Sequence, residues 1–333
     1  MKRVGIIGCG NIYSVHAEAL ELIEQTKLVA VCDVKAARLE KAKADGIATY
    51  TDYKEMLLHA KLDAVHICTP HYLHAEMAIF ALEHGVDVLC EKPMAIKLDD
   101  ARRMQRAAEQ SGRRLWIVFQ NRFNPGARLA RDTIKSGKLG NVLGVKGEVP
   151  WVRDMQYYSD DWHGRLATEG GGVIINQAIH TLDLMRWLSP TPARTVEAHT
   201  ANRTLPEIEV EDTAEGLICF DGGIRGNFYF TTAYVTNRPI RLEVCCENGI
   251  ILLEDGKGTI TFKNGETVTA EENSSYAVQC GGKAYWGNSH LRQIKAFYDD
   301  APNDYDNLTE ALRTQELMCA IYASAEANRK IEL

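Results

Sequence analysis

No stretch of this sequence approaches the roughly 18 consecutive apolar residues that a membrane-crossing helix needs. Lys2 and Arg3 ahead of Val4–Ile7 have the look of a secretion signal, but the apolar part is too short. Glycines, Asn11, His16 and Glu18 follow at once. Basic charge is in short supply. The 38 Lys and Arg residues stand against 45 Asp and Glu, a formal charge of -7, which argues against nucleic acid as a partner. There is no Cys-x-x-Cys pair, and the cysteine count of nine is odd. Cys32, Cys68 and Cys90 each close an apolar run, where a thiol packs as a small hydrophobe. A disulfide framework is therefore not expected. Internal repeats, low-complexity tracts and flexible linkers are also missing. These absences point to a soluble, cytoplasmic protein that does not bind membranes. With 333 residues, 45% of them apolar, the chain can build two domains with sizeable cores.

What is present falls into two rhythms. Up to about residue 120, short apolar runs (Arg3–Ile7, Leu28–Cys32, Ala64–Cys68, Val86–Cys90, Leu115–Phe119) alternate with helical patterns (Ser14–Gln25, Ala36–Ala44, Ala75–His84, Leu98–Ser111). Runs apolar on both faces, separated by helices, predict an α/β domain over 1–120 with a doubly wound parallel sheet. Later, turn signals recur at Asp221-Gly222-Gly223, Asn248-Gly249, Asp255-Gly256 and Asn264-Gly265, with short alternating segments between them. These predict antiparallel hairpins, so 121–333 reads as an α+β domain with a large, mostly antiparallel open sheet. The open face of such a sheet calls for cover, and a homodimer or homotetramer is expected. Two late helical patterns, His290–Asp299 and Thr309–Ala327, are candidates to return to the first domain.

The first apolar run feeds directly into Gly8-Cys9-Gly10-Asn11-Ile12-Tyr13. Gly8 suits a tight turn, and Gly10 lets backbone approach a pyrophosphate. The helix that opens at Asn11 would aim free N–H groups and its positive dipole end at the phosphates. Asp33 ends the next apolar run, 23 residues after Gly10, where an acidic residue binds the adenine ribose hydroxyls. A glycine turn between strand and helix with this acid is a dinucleotide-binding signature. Its carboxylate would repel a 2′-phosphate, so NAD is favoured, with NADP not excluded because Lys35 and Arg38 lie nearby. Tyr13 stands where a third small residue is usual. It cannot tuck beneath the helix, so its ring is expected to point outward, toward the ligand.

Further stretches carry chemistry. Lys92 follows the run Val86–Cys90 with one residue between, which places its amine at the ligand-binding edge of the sheet. Burial beside a cofactor would lower its pKa and make it a hydrogen-bond donor to a substrate oxygen. Gly170-Gly171-Gly172 precedes a pattern read as a helix, on which Asn176, His180 and Asp183 fall at i, i+4 and i+7 and share one face. A histidine beside a carboxylate suits a general base. Tyr157, Tyr158, Trp162, His163 and Arg165 cluster just ahead, where aromatic faces could stack on a sugar and Arg165 could bind hydroxyls or a carboxylate. Packing against a neighbouring subunit is an equal reading of that cluster. Tyr285, Trp286 and His290 form a weaker second cluster. His180 and Asp183 are too few ligands for a metal, so none is expected.

Thr69-Pro70-His71-Tyr72-Leu73-His74, Glu91-Lys92-Pro93, and Gly170-Gly171-Gly172 through His180-Thr181-Leu182-Asp183, together with the N-terminal Gly-Cys-Gly-Asn-Ile, resemble the glucose-fructose oxidoreductase / inositol dehydrogenase / rhizopine-catabolism (Gfo/Idh/MocA) family. The resemblance runs the length of the chain, including the Ala320–Ala325 tail. It implies a Rossmann domain followed by a substrate-binding domain. It makes Lys92 the catalytic lysine, with a Lys92–Pro93 bond that can be cis. It puts Gly8, Gly10, Asn11, Ile12, Tyr13, Asp33, Thr69, Pro70, His74, Glu91 and Lys92 at the cofactor. It further implies an NAD(P)-dependent oxidoreductase acting on a secondary hydroxyl or ketone of a sugar, glycoside or polyol. His180 would take the hydroxyl proton and Asp183 would position it. Asn176, Tyr157, Trp162 and Arg165 would bind the carbohydrate. The family often has aspartate where this chain has Asn176, which leaves His180 as the base. Two rivals remain open: an NAD-recycling glycoside-cleaving enzyme working by oxidation, elimination and reduction, and a non-catalytic NAD- or sugar-sensing regulator.

Overall fold

The computed structural model describes residues 1–272, 287–299 and 308–333. Tyr285 and Trp286 lie outside them. In chain order the first 120 residues form β1 (Lys2–Ile7), α1 (Tyr13–Leu22), β2 (Thr26–Cys32), α2 (Glu40–Ala44), β3 (Ala48–Tyr50), α3 (Tyr53–His59), β4 (Ala64–Ile67), α4 (His74–Glu83), β5 (Asp87–Cys90), α5 (Leu98–Ser111) and β6 (Leu115–Ile117). Then come α6 (Pro125–Lys135), β7 (Val142–Pro150), α7 (Ile179–Leu188), β8 (Ala193–Ala201), β9 (Thr213–Phe220), β10 (Arg225–Thr231), β11 (Arg241–Cys246), β12 (Gly249–Glu254), β13 (Lys257–Phe262) and β14 (Thr267–Ala270). The chain closes with α8 (Gly287–Tyr298), α9 (Leu308–Ala327) and β15 (Ile331–Glu332). There are two compact units. One is Met1–Gln120 with the described part of Ser274–Leu312; the other is Asn121–Asn273 with Arg313–Leu333. No helix among the described residues is long and apolar enough to cross a membrane.

In the first unit the described strands lie in the order β3-β2-β1-β4-β5-β6, all parallel. Val4, Ile6, Ala30, Val31, Val65, Ile67, Val88 and Leu89 are buried along its central strands. Helices on both faces explain why these strands read as unbroken apolar runs rather than alternating ones. The chain reverses direction across the sheet between β1 and β4, and ligands of open α/β sheets bind at such a switch point. Gly8 follows β1 there and Thr69 follows β4. A cluster that includes Ile6, Ala19, Leu20, Val31, Leu89, Ile294 and Phe297 brings α8 onto this core.

The second unit holds strands in the order β14-β13-β12-β11-β7-β10-β9-β8-β15, antiparallel except for the β7–β10 pair. Each glycine-marked turn named above joins a hairpin: β9 to β10, β11 to β12, β12 to β13 and β13 to β14. Burial alternates along β10 and β11, so one face is core and the other is open. Helix α7 packs on β7, where Gly147 makes room for Met185.

Candidate active site

The glycine turn is built for a close visitor. Gly8 has φ +95, a left-handed conformation, and a Cβ there would stand 2.5 Å from the Cys68 carbonyl. At Gly10 the nearest atom to a Cβ would be Arg38 Nη1 at 3.9 Å, so the space over this backbone is open. Asp33 is buried at the end of β2, and its carboxylate accepts from Cys9 N (2.9 Å) and Lys35 N (2.8 Å), with Arg38 Nη1 at 3.3 Å. Helix α1 opens at Tyr13 with no side-chain cap, and its positive dipole end favours an anion, although Tyr13 N already donates to Gly10 O and Val15 N to Ile12 O. These residues fit a dinucleotide. Asn11 is exposed and Ile12 half-buried beside the turn.

Tyr13 corrects an expectation. Its ring does not turn outward but packs, half-buried, against the core cluster that holds Val31, Leu39 and Ala42. That burial pushes its phenol up to about 12.

At the end of β5, the Glu91 N–H donates to Ile67 O (2.9 Å), Lys92 is half-buried, and the Lys92–Pro93 peptide is cis. Two residues expected at the cofactor are buried beside this loop. His74 is fully buried, with Nδ1 2.8 Å from Pro93 O and Nε2 2.9 Å from Thr69 O. It ties the lysine loop to the Thr69-Pro70 loop, and both of those residues are half-buried. Glu91 Oε1 lies 3.1 Å from His16 Nε2 and 3.6 Å from His290 Nε2, and its Oε2 accepts from Lys92 N at 3.3 Å. Burial alone would raise the Glu91 carboxyl; the hydrogen bonds from His16 and His290 override it and hold the group well below the usual range.

In the second unit, every residue of α7 is buried except His180, which is half-buried. Asn176, however, is not on that helix, because α7 begins only at Ile179. Residues 172–178 instead form successive turns, with Asn176 N donating to Gly172 O and Ala178 N to Val173 O. Glu211 is the cause. Its carboxylate accepts from Gly172 N (2.8 Å), Ile174 N (3.1 Å) and the Tyr322 hydroxyl (2.9 Å), while its carbonyl accepts from Val173 N. A Cβ on Gly172 would run into that same carbonyl, and one on Gly171 into the Tyr322 hydroxyl.

Asn176 is nonetheless a positioned polar group. Its Nδ2 donates to Glu169 Oε1 (2.6 Å) and to the Tyr157 hydroxyl (3.1 Å), which also accepts from Gln177 Nε2 (3.0 Å). Tyr157 belongs to the aromatic group singled out above, and its ring sits 4.7 Å from that of His163, which in turn stacks against Trp162. Arg165 is exposed and its Nη1 donates to the Asp161 carbonyl. Asp183, expected beside the His180 ring, is committed elsewhere. It receives a bidentate pair from buried Arg122 (2.8 and 2.6 Å) and the Thr314 hydroxyl (2.6 Å), with Arg186 at 3.8 Å. Burial works to raise this carboxyl, and the Arg122 charge and hydrogen bonds outweigh it, leaving it below its ordinary value.

Arg122, Glu169, Gln177 and Glu211 escaped the sequence reading. So did His16 and His66, although a histidine inside the apolar run Ala64–Cys68 was a visible signal. Among the described residues no group of three His, Cys, Asp or Glu side chains is arranged to hold a metal ion.

Comparison with known proteins agrees with this geometry. Residues 2–119 match the model of the oxidoreductase family with an NAD-binding Rossmann fold, and 127–252 match the GFO/IDH/MocA C-terminal domain. D-glucoside 3-dehydrogenase of Escherichia coli is 29% identical over 99% of this chain and 97% of its own. Myo-inositol 2-dehydrogenase of Thermotoga maritima is 27% identical over 89% of this chain and 86% of its own. The crystal structure of the WlbA dehydrogenase from Bordetella pertussis, in complex with NADH and UDP-GlcNAcA, superposes with a TM-score of 0.84 at 30% identity, over 99% of this chain and 98% of that one. With an NAD-binding Rossmann unit joined to the family's own second domain, the chain is a member of the Gfo/Idh/MocA family of oxidoreductases.

Proposed function

We propose that this protein oxidises a secondary hydroxyl of a sugar, glycoside or polyol, or reduces the matching ketone, with NAD preferred over NADP. The observation that carries the reading is His180, the one residue of α7 that its helix does not bury, following an Asn176 amide already oriented by Glu169 and Tyr157. NAD supplies the hydride acceptor at its nicotinamide. His180 takes the hydroxyl proton. Lys92 donates a hydrogen bond to the same oxygen as it becomes a carbonyl. Asn176 and Tyr157 orient the carbohydrate, beside the aromatic faces of Trp162 and His163. Asp183 holds α7 in place through Arg122 and has no proton role. The preference for NAD rests on Asp33, whose carboxylate disfavours a 2′-phosphate. The relatives named above, which act on a glucoside and an inositol, support the substrate class. Free thiols at Cys9, Cys32, Cys68, Cys90, Cys219, Cys245 and Cys246 suit a cytoplasmic location.

The test is NADH formation, followed by absorbance, across a panel of monosaccharides, glycosides and inositols. Lys92→Met and His180→Ala should each lower kcat by about 10²–10⁴-fold, the usual worth of acid–base assistance, while NAD still binds. Near-wild-type turnover in either variant removes that residue from the mechanism. Release of free aglycone without net NADH would replace the dehydrogenase reading with glycoside cleavage.

A further inference from the structure

Behind the lysine loop of the first unit runs a line of polar side chains that the proposed chemistry does not use. His16 on α1, His66 on β4 and Glu91 after β5 are all buried, as is Tyr298 at the end of α8. Tyr298 Oη lies 2.8 Å from His66 Nε2, His66 Nδ1 lies 3.0 Å from His16 Nδ1, and His16 Nε2 lies 3.1 Å from Glu91 Oε1. The His66 and Tyr298 rings stack at 5.9 Å.

An ionised carboxylate can only accept, so His16 must donate from Nε2. A neutral His16 then accepts at Nδ1, which obliges His66 to donate from Nδ1 and to accept at Nε2, and leaves Tyr298 as the donor. With both rings neutral, each of the three bonds has one solution, and all three run toward Glu91. Burial lowers the pKa of both imidazoles, well below the ordinary value for His66, which favours the neutral forms this pattern needs. A proton added at His16 Nδ1 would turn the 3.0 Å bond around, with His66 accepting at Nδ1 and donating from Nε2 to the Tyr298 oxygen.

We propose that Tyr298, His66 and His16 form a one-way hydrogen-bonded chain that keeps Glu91 an ionised acceptor for the Lys92 backbone, which makes these three residues, with Glu91, positioning residues for the lysine. The last link is Lys92 N to Glu91 Oε2 at 3.3 Å. Other groups face the chain and set its working range. His290 of α8 lies 3.6 Å from Glu91 Oε1, and the thiols of Cys68 and Cys90 sense the Glu91 charge. Arg114, Asp87 and Asp63 act on Tyr298 from the far end. The importance of Lys92 rests on the function proposed above; the direction of the chain does not.

Two measurements on the full-length protein decide it. In histidine-labelled protein, long-range proton–nitrogen correlation spectra at pH 6 should show His16 as the neutral Nε2–H tautomer and His66 as the neutral Nδ1–H tautomer. His16→Gln and Tyr298→Phe supply the assignments. A protonated ring or the reverse tautomer in either residue overturns the proposal, whether or not a sugar substrate has been found. In the activity assay, Tyr298→Phe keeps the ring and loses one donor. It should lower kcat roughly fivefold to tenfold, the factor that about one hydrogen bond carries, with NAD affinity unchanged. His16→Leu should cost more than His16→Gln, whose amide can still donate to Glu91. Wild-type kcat and pH profile in both Tyr298→Phe and His16→Gln, with thermal unfolding showing both folded, overturns the positioning role. No turnover of any sugar by the wild type would instead count against the proposed function and leave the tautomers to judge the chain.

Discussion

At the scale of single residues, the side chains that do chemistry are few and the ones that hold them are many. Asp33 illustrates the overlap. Its oxygens accept from Cys9 and Lys35 backbone, so it shapes the glycine turn as well as presenting charge to a ribose. Asp33→Ser removes the charge beside Arg38, whose guanidinium then has no carboxylate at 3.3 Å and is released toward a 2′-phosphate. The ratio of kcat/KM for NADP to that for NAD should rise by at least roughly tenfold, the effect of about 1.4 kcal/mol, as measured by initial rates. An unchanged ratio would show that this position does not set the preference. Gly8, Gly10 and Asp33 were legible because the turn, its strand and the acid follow one another in a short βαβ unit. The lean of Tyr13 was not legible, since it depends on a core cluster assembled from residues as distant in sequence as Leu89 and Phe297.

Among the elements, α7 is the one on which the reading depends most. Its apolar pattern was visible, but its start was placed too early because triple glycine followed by Val173-Ile174-Ile175 looks like a helix entrance. Glu211, far along the chain, captures those N–H groups and keeps the segment in turns. The helix is anchored by the buried Asp183–Arg122 pair. Breaking such a pair by removing one charge typically costs about 3–5 kcal/mol, so Asp183→Asn should lower the denaturant midpoint markedly. The carboxyl titrates lower in the folded protein than in the unfolded chain. Its stabilisation is therefore complete above the unfolded value, about 3.9, and is lost as pH falls through the folded one. Unfolding free energies from pH 3 to 7 should consequently depend less on pH in Asp183→Asn than in the wild type. Equal slopes would mean the pair contributes nothing to acid sensitivity.

For the molecule as a whole, the open face of the nine-stranded sheet sets the expectation. Leu217 is 56% exposed there, and Tyr229 and Ile250 lie on the same face. Ion pairs Lys146–Glu148 and Arg241–Glu243 accompany them. Apolar and paired-charge residues mixed on one flat face suit a self-complementary contact with a second copy, and we expect a homodimer or homotetramer built on it. Sedimentation velocity should show an oligomer for the wild type and a smaller species for Leu217→Asp. A monomeric wild type would retire the idea.

Local order along the chain determined much of this protein by itself. The alternation that makes a parallel sheet, the glycine turn with its acid, the glycine-marked hairpins and Glu-Lys-Pro after a strand are all patterns of neighbours, and neighbours interact wherever the rest of the chain goes. Tertiary structure alone decided that Asn176 leaves the helix, that Asp183 belongs to Arg122 and Thr314, and that residues 16, 66, 91 and 298 join in one hydrogen-bonded line. Those outcomes turn on which polar groups are buried together, and burial is a property of the packed chain, settled by contacts between residues tens to hundreds of positions apart.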